Sequence, residues 1–223
     1  MNTTELKNRG IYGLIFMLIL WFGTSYSSLS CSILFAFLGL LCLYEMWNLR
    51  KGKSKILALS YVLIPFLLIQ DLIWNYLTIN VSFENTGMTV WAKEVILGLF
   101  VLTWTFDTFA LLIGVKYGKH KIIPSISPKK SWEGFIGGLI FTFIASSIYF
   151  KYFLEESIEQ ALILALIIPF TASLGDFIES AYKRQAGVKD SGNLIPGHGG
   201  ILDRIDSLIV SIFLLSILFR LLS

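Results

Sequence analysis

The chain has 223 residues, of which 55% are hydrophobic and 15% charged, and its formal charge is +3. A soluble domain carries about 25% charged residues, so this balance, with a mean hydropathy of +0.73, argues against an ordinary cytosolic enzyme. With so small a net charge, the electrostatic information lies in where the charges sit.

Apolar residues fall in blocks of roughly 16 to 25, the length at which a helix rising about 1.5 Å per residue crosses ~30 Å of hydrocarbon. Seven such blocks run 11–26, 28–49, 56–79, 91–115, 134–154, 160–182 and 205–222. A transmembrane barrel would need ~10-residue segments of alternating polarity, a pattern this chain lacks. The expected fold is all-α, a polytopic integral membrane bundle of about seven helices. Residues 1–90 read as N-terminal transmembrane helices for a lipid cavity or packing. Residues 91–223 read as a catalytic transmembrane region with polar loops at 116–133 and 183–204. Gly23 to Ser28 alone separate the first two blocks, which are either two helices or one broken element.

Cytoplasmic loops are enriched in Lys and Arg. Placing the N-terminus in the cytoplasm gathers 15 of the 18 cations in inside segments and leaves Lys93, Lys151 and Arg220 toward the outside. The expectation is an inner or cytoplasmic membrane protein whose polar loops face the cytoplasm. Lys7 and Arg9 ahead of an apolar run resemble the start of a signal peptide, but no small-x-small cleavage pattern follows, and the run reads as a first span. Cys31 and Cys42, about 16 Å apart along one helix, cannot bridge within it and read as apolar packing residues.

Asp107 lies deep in the fourth block. A carboxylate at that depth is costly unless it is paired or faces a cavity; it is either a functional group or a neutral brace against Thr103 or Thr108. Asp71, beside Gln70 and Asn75, faces the same choice and reads as a packing or cavity residue. The loop that follows carries Lys116, Lys119, Lys121, Lys129 and Lys130. Positive-inside topology and attraction to anionic lipid explain much of this run. Its Ser127-Pro-Lys-Lys-Ser turn differs, because hydroxyls, backbone amides near a helix start and two ammonium groups can converge on one phosphate.

In the sixth block Asp176, Glu179, Ser180, Lys183 and Arg184 recur at i, i+3, i+4, i+7 and i+8, one face of a continuing helix. This polar stripe is either a row of surface ion pairs or a metal-binding acidic end beside a phosphate-binding basic end. The chain continues through Lys189, Asp190, Gly192, Pro196, Gly197, His198, Gly199 and Gly200 to Asp203, Arg204, Asp206 and Ser207. The glycines permit positive φ and close backbone approach to a phosphate. Hard oxygen donors without paired Cys or clustered His point to Mg²⁺, held by carboxylates and substrate phosphates. Asp176 and Asp203, from two helices, form the expected pair, with Asp206 a third candidate ligand. Lys183, Arg184, Lys189 and Arg204 would neutralise phosphate oxygens. The residue types thus point to metal-assisted phosphoryl or nucleotidyl transfer at the membrane face. No Gly-x-x-x-x-Gly-Lys-Ser/Thr run is present, which excludes a P-loop NTPase.

These stretches resemble the phosphatidate cytidylyltransferases, or CDP-diacylglycerol synthases. That family's signature runs Ser-x-apolar-Lys-Arg, Lys-Asp, then Pro-x-His-Gly-Gly-x-x-Asp-Arg-x-Asp. It is matched here by Ser180, Lys183, Arg184, Lys189, Asp190, Pro196, His198, Gly199, Gly200, Asp203, Arg204 and Asp206. Asp107 with Gly114 and Gly118, and the stretch from Ser127 to Gly134, are similar to its other shared segments, so the likeness covers about 103–220. Tyr182 stands where an aliphatic residue or Phe is usual, and Ser131 where Thr is common. The chain is shorter than the typical bacterial member, the difference falling among N-terminal spans that help form the lipid cavity or dimer contact.

The resemblance implies transfer of CMP from CTP to phosphatidate, giving CDP-diacylglycerol and pyrophosphate in phospholipid biosynthesis. It implies Mg²⁺ at Asp176 and Asp203, with a second, monovalent cation such as K⁺ as a further member. Ser127, Lys130, Ser180, Arg184, Lys189, Asp190, Gly199, Gly200 and Asp107 are the expected substrate contacts. Asp176, Asp203, Lys183, Arg204 and His198 form the expected catalytic group, with His198 as loop organiser, phosphate donor or base. Membrane lipid and a second copy of the chain are the implied partners, and nucleic acid is not. Competing readings are CTP-dependent transfer to another lipid phosphate, a lipid kinase, and a cation-coupled transporter using Asp71, Asp107 and Asp176 as a carboxylate relay.

Overall fold

The computed structural model describes residues 3–76, 92–154, 158–195 and 199–222. Its helices, in chain order, are α1 (Thr3–Tyr26), α2 (Ser28–Leu49), α3 (Ile56–Tyr76), α4 (Ala92–Tyr117), α5 (Trp132–Tyr149), α6 (Ile158–Ala186) and α7 (Leu202–Leu222). A π-helical turn, Phe150–Leu154, extends α5. Among the described residues there is no strand, only isolated bridges joining Lys121 to Ser131 and Ile195 to Gly199. The all-α membrane bundle expected from the sequence is the fold observed.

Among the described residues, five stretches are long and apolar enough to cross a membrane: 28–49, 56–74, 93–117, 132–152 and 162–186. The apolar part of α1, Gly10–Tyr26, is shorter, and α7 opens on the charged run Asp203-Arg204-Ile205-Asp206. The first two blocks are separate helices. Ser27 adopts an extended backbone, its hydroxyl accepts from the Ser30 amide at 3.0 Å, and the Ser30 hydroxyl accepts from the Ser27 amide at 2.9 Å. This reciprocal cap satisfies amide donors that the start of α2 would otherwise leave unpaired.

α2, α3, α4 and α7 share one core, in which Cys42, Met46, Ile73, Ile96, Phe100 and Leu202 are fully buried. Both cysteines are free and buried, as packing residues should be. Lipid tails are as apolar as these side chains, so close fit and interhelical hydrogen bonds hold the bundle. Gln70 of α3 accepts from the Ser32 hydroxyl of α2 at 2.6 Å and donates to the Ser32 carbonyl at 2.8 Å. The Thr171 and Ser211 hydroxyls join α6 to α7 at 2.8 Å. Where these two helices cross, Gly175 lies so close to the Asp206 carbonyl that a Cβ would overlap it. That crossing sets Asp176 opposite Asp206.

Large apolar side chains such as Phe22, Ile33, Leu67, Ile140 and Leu166 cover the outside of the helices, the surface a lipid environment requires. At one end the loop after α2 meets the end of α6, with Arg50 Nη1 donating to Gln185 Oε1 at 2.6 Å. Lys130, from the loop before α5, reaches α6 at the same end. Three segments expected on one side of the membrane from charge alone therefore meet in space.

Candidate active site

A cavity of about 330 Å³ opens at this end of the bundle, within the size range of small-molecule sites. Asp107 of α4, Ser127, Lys129 and Lys130 of the α4–α5 loop, Asp176 of α6, and Asp203, Asp206 and Ser207 of α7 line it. Phe106, Leu111 and Phe135 supply an apolar wall. Leu111 is 58% exposed although it lines the cavity, so this wall is an open apolar surface.

α6 remains helical through the polar stripe, because its apolar residues keep their period while the acids and lysine fall on the face turned toward α7. Asp176 is held from two sides: Lys130 Nζ lies 2.5 Å from Oδ2, and the Ser180 hydroxyl donates to Oδ1 at 3.1 Å. Oxygens of Asp176, Glu179 and Asp206 lie within 4.8 Å of one another. Glu179 is completely buried and pairs with Lys183.

Lys183 also donates to Asp203 Oδ1 at 2.7 Å. The other Asp203 oxygen accepts from the Ser191 amide at 2.8 Å, the Ser191 hydroxyl at 3.0 Å and the Gly200 amide at 2.8 Å. Asp203 precedes the apolar stretch of α7. Burial there raises its carboxyl pKa, but the Glu179 side chain, the Lys183 ammonium and the Gly200 amide together more than offset this and hold it below the ordinary aspartate value.

The remaining expected site residues divide by position. Ser180, Gly199 and Gly200 stand beside the acids. Gly199, at φ 84°, closes the loop by accepting from the Ile195 amide at 2.9 Å. Lys189 and Asp190 line a second, shallower depression with Lys51, Lys53 and Asn48. Arg184 donates to the Val188 carbonyl at 3.1 Å and, like Arg204, is exposed. His198, with Pro196 and Gly197, lies outside the described residues. Glu133, noticeable among the cations of its loop, is used within that loop: it accepts from the Lys119 amide at 3.1 Å and pairs with His120 Nδ1 at 2.6 Å.

Two acids gain importance from the structure. Glu179 was visible in the stripe, and its spacing from Asp176 was the available signal. Glu45, on α2, gave no such signal. It is 2% exposed and accepts hydrogen bonds from the Ser191 hydroxyl and from the amides of Ile201 and Leu202.

The profile described as Cytidylyltransferase family matches residues 91–222, more than half of the chain. This chain belongs to that family. A Staphylococcus haemolyticus relative, named phosphatidate cytidylyltransferase, is 36% identical over 185 residues, covering 77% of this chain and 71% of the relative. A Staphylococcus aureus protein of the same name is 36% identical over 178 residues, 74% and 68% of the two chains. One from Haemophilus influenzae is 43% identical over 122 residues, 52% of this chain and 42% of its own. The staphylococcal alignments cover about three quarters of this chain, so the similarity extends N-terminal of residue 91, where the profile begins.

Proposed function

We propose that this cytidylyltransferase-family member is an integral membrane enzyme that transfers CMP from CTP to phosphatidate, releasing pyrophosphate and forming CDP-diacylglycerol, with its active site on the cytoplasmic side. The observation that carries this reading is one cavity that combines clustered carboxylates, two lysines and an exposed apolar wall. The names of the relatives supply the substrates.

The donor set suits a divalent metal. Asp176, Glu179 and Asp206 offer three hard oxygen ligands from two helices that cross at fixed distance, and such donors favour Mg²⁺. Mg²⁺ bound by them would neutralise charge on the triphosphate.

The chain's own groups do the rest. Lys129 and Lys130 face the cavity and offset phosphate charge, while Ser127 and Ser207 supply hydroxyl donors. A phosphatidate oxygen, already ionised at neutral pH, forms a bond to the α-phosphorus of CTP as the bond to the bridging oxygen of pyrophosphate breaks, so no strong general base is required. Lys183 holds Glu179 and Asp203 from behind the cavity, and Asp203, which lines the cavity beside Asp206, is the further carboxylate that would serve the metal. The Leu111–Phe135 wall lets the diacyl tails remain among the helices while the phosphate reaches the polar end.

The test is pyrophosphate release by the purified chain in detergent, supplied with CTP, phosphatidate and Mg²⁺ and with each withheld in turn. Release that requires all three is the expected result. Release without phosphatidate, or none with all three, refutes the reading. The positive-inside assignment is tested separately by labelling single cysteines at Lys53 and Lys189 in intact cells, where an impermeant reagent should not reach them.

A further inference from the structure

Glu45 is remote in sequence from the acids of the cavity. It projects from the last part of α2 into the junction where the glycine-rich loop becomes α7. Oε1 accepts from the Ile201 amide at 3.0 Å, and Oε2 accepts from the Leu202 amide at 2.8 Å and the Ser191 hydroxyl at 3.0 Å. A helix start leaves its first amides without intrahelical acceptors and carries partial positive charge, and a carboxylate from a different helix meets both needs here.

The neighbouring glycines fit around it. Neither Gly192 nor Gly200 has positive φ, so conformational freedom does not account for them. A Cβ on Gly192 would sit 2.7 Å from Glu45 Oε1 and 3.0 Å from its Cδ, and a Cβ on Gly200 would also press on the carboxylate. The Ser191 hydroxyl touches both Glu45 and Asp203 at 3.0 Å, and the Gly200 amide holds Asp203 Oδ2. The turn clamped by Glu45 is therefore the turn that aims Asp203 into the cavity.

We infer that Glu45 is a positioning residue for the reaction: it touches no substrate, but fixes the loop–α7 junction and thereby the Asp203 carboxylate. The inference rests on the cytidylyl-transfer reading of the cavity. It also makes α2 part of the active-site frame, although the family profile begins at residue 91.

The decisive variant is Glu45→Gln, which keeps shape and packing. Both carboxylate oxygens face backbone N–H donors, so an amide nitrogen must oppose one of them, donor against donor. Residues that orient a metal-site group through another side chain typically change activity about 10- to 100-fold. Glu45→Gln should accordingly lower kcat by about tenfold or more with both KM values nearly unchanged and a normal folded fraction by size-exclusion chromatography. Gly192→Ala should lower kcat in the wild-type background but add nothing in Glu45→Ala, where the overlapped carboxylate is gone. Hydrogen–deuterium exchange should quicken at the Ile201 and Leu202 amides of Glu45→Gln.

A near wild-type kcat in Glu45→Gln overturns the inference. So does an equal effect of Gly192→Ala in both backgrounds, or a loss explained wholly by unfolded protein. An unmodified chain that releases no pyrophosphate from CTP and phosphatidate sinks the functional reading instead, and the exchange experiment then still decides whether Glu45 clamps the turn.

Discussion

Lys183 is the hinge of the electrostatics. Its ammonium sits between Glu179, whose side chain is 0% exposed, and Asp203, whose side chain is 5% exposed, and it is itself 11% exposed. Lys183→Met keeps much of the volume and removes the charge. At 2.7 Å from Asp203, the gross attraction of that one pair is about 6 kcal/mol at an effective dielectric of about 20. Desolvation offsets much of it, and removing one partner of a buried pair costs about 3–5 kcal/mol through the charge left behind. In a chain of this size each kcal/mol moves the melting temperature by about 2–4 °C, so Lys183→Met should melt at least about 6 °C below wild type in detergent. Adding Asp203→Asn removes the stranded charge and should recover part of the loss. Lys130→Met offers the contrast: its pair with Asp176 is 23% and 26% exposed, and solvent-screened pairs contribute about 1 kcal/mol or less. Equal melting of wild type and Lys183→Met, or a double variant less stable than the single one, would refute this account of the buried pair.

Asp176→Asn and Asp206→Asn should each reduce turnover by about 10²-fold or more, measured as pyrophosphate release, with the fold retained by size-exclusion chromatography. Lys121→Ala should stay near wild type, since Lys121 is exposed and lies outside the cavity lining. Gly175→Ala forces a Cβ into the Asp206 carbonyl and should cost about 1–3 kcal/mol by overpacking, read as a lower melting temperature together with weaker Mg²⁺ dependence as the two acids move apart.

The helices were legible because hydrocarbon requires long apolar runs, and the polar stripe was legible because Asp176, Glu179 and Lys183 recur at helical spacing. The break at Ser27 could not be decided from composition, since it depends on a cap formed by two serines three residues apart. The partition of the acids was also hidden. Asp203 and Asp206 are one turn apart, yet one is held by Lys183 and loop amides while the other faces Asp176, a difference set by how α7 crosses α6. Glu45 was the least legible, a single acid in an apolar helix whose partners lie 146 to 157 residues away in the chain. Its meaning exists only in the packed bundle.

The exposed apolar wall around Leu111, read as the entry for the diacyl tails, changes what substrate concentration means for this enzyme. A diacyl substrate that enters sideways from the surrounding lipid never passes through water, so its encounter rate follows its mole fraction in the two-dimensional film rather than its amount per volume of buffer. Blending phosphatidate with an inert phospholipid at constant total amount would slow turnover, while diluting the whole suspension would leave the lipid part of the rate unchanged. CTP obeys the opposite rule. The cavity thus joins two reservoirs of different dimension, and the composition of the membrane itself becomes a control on the rate.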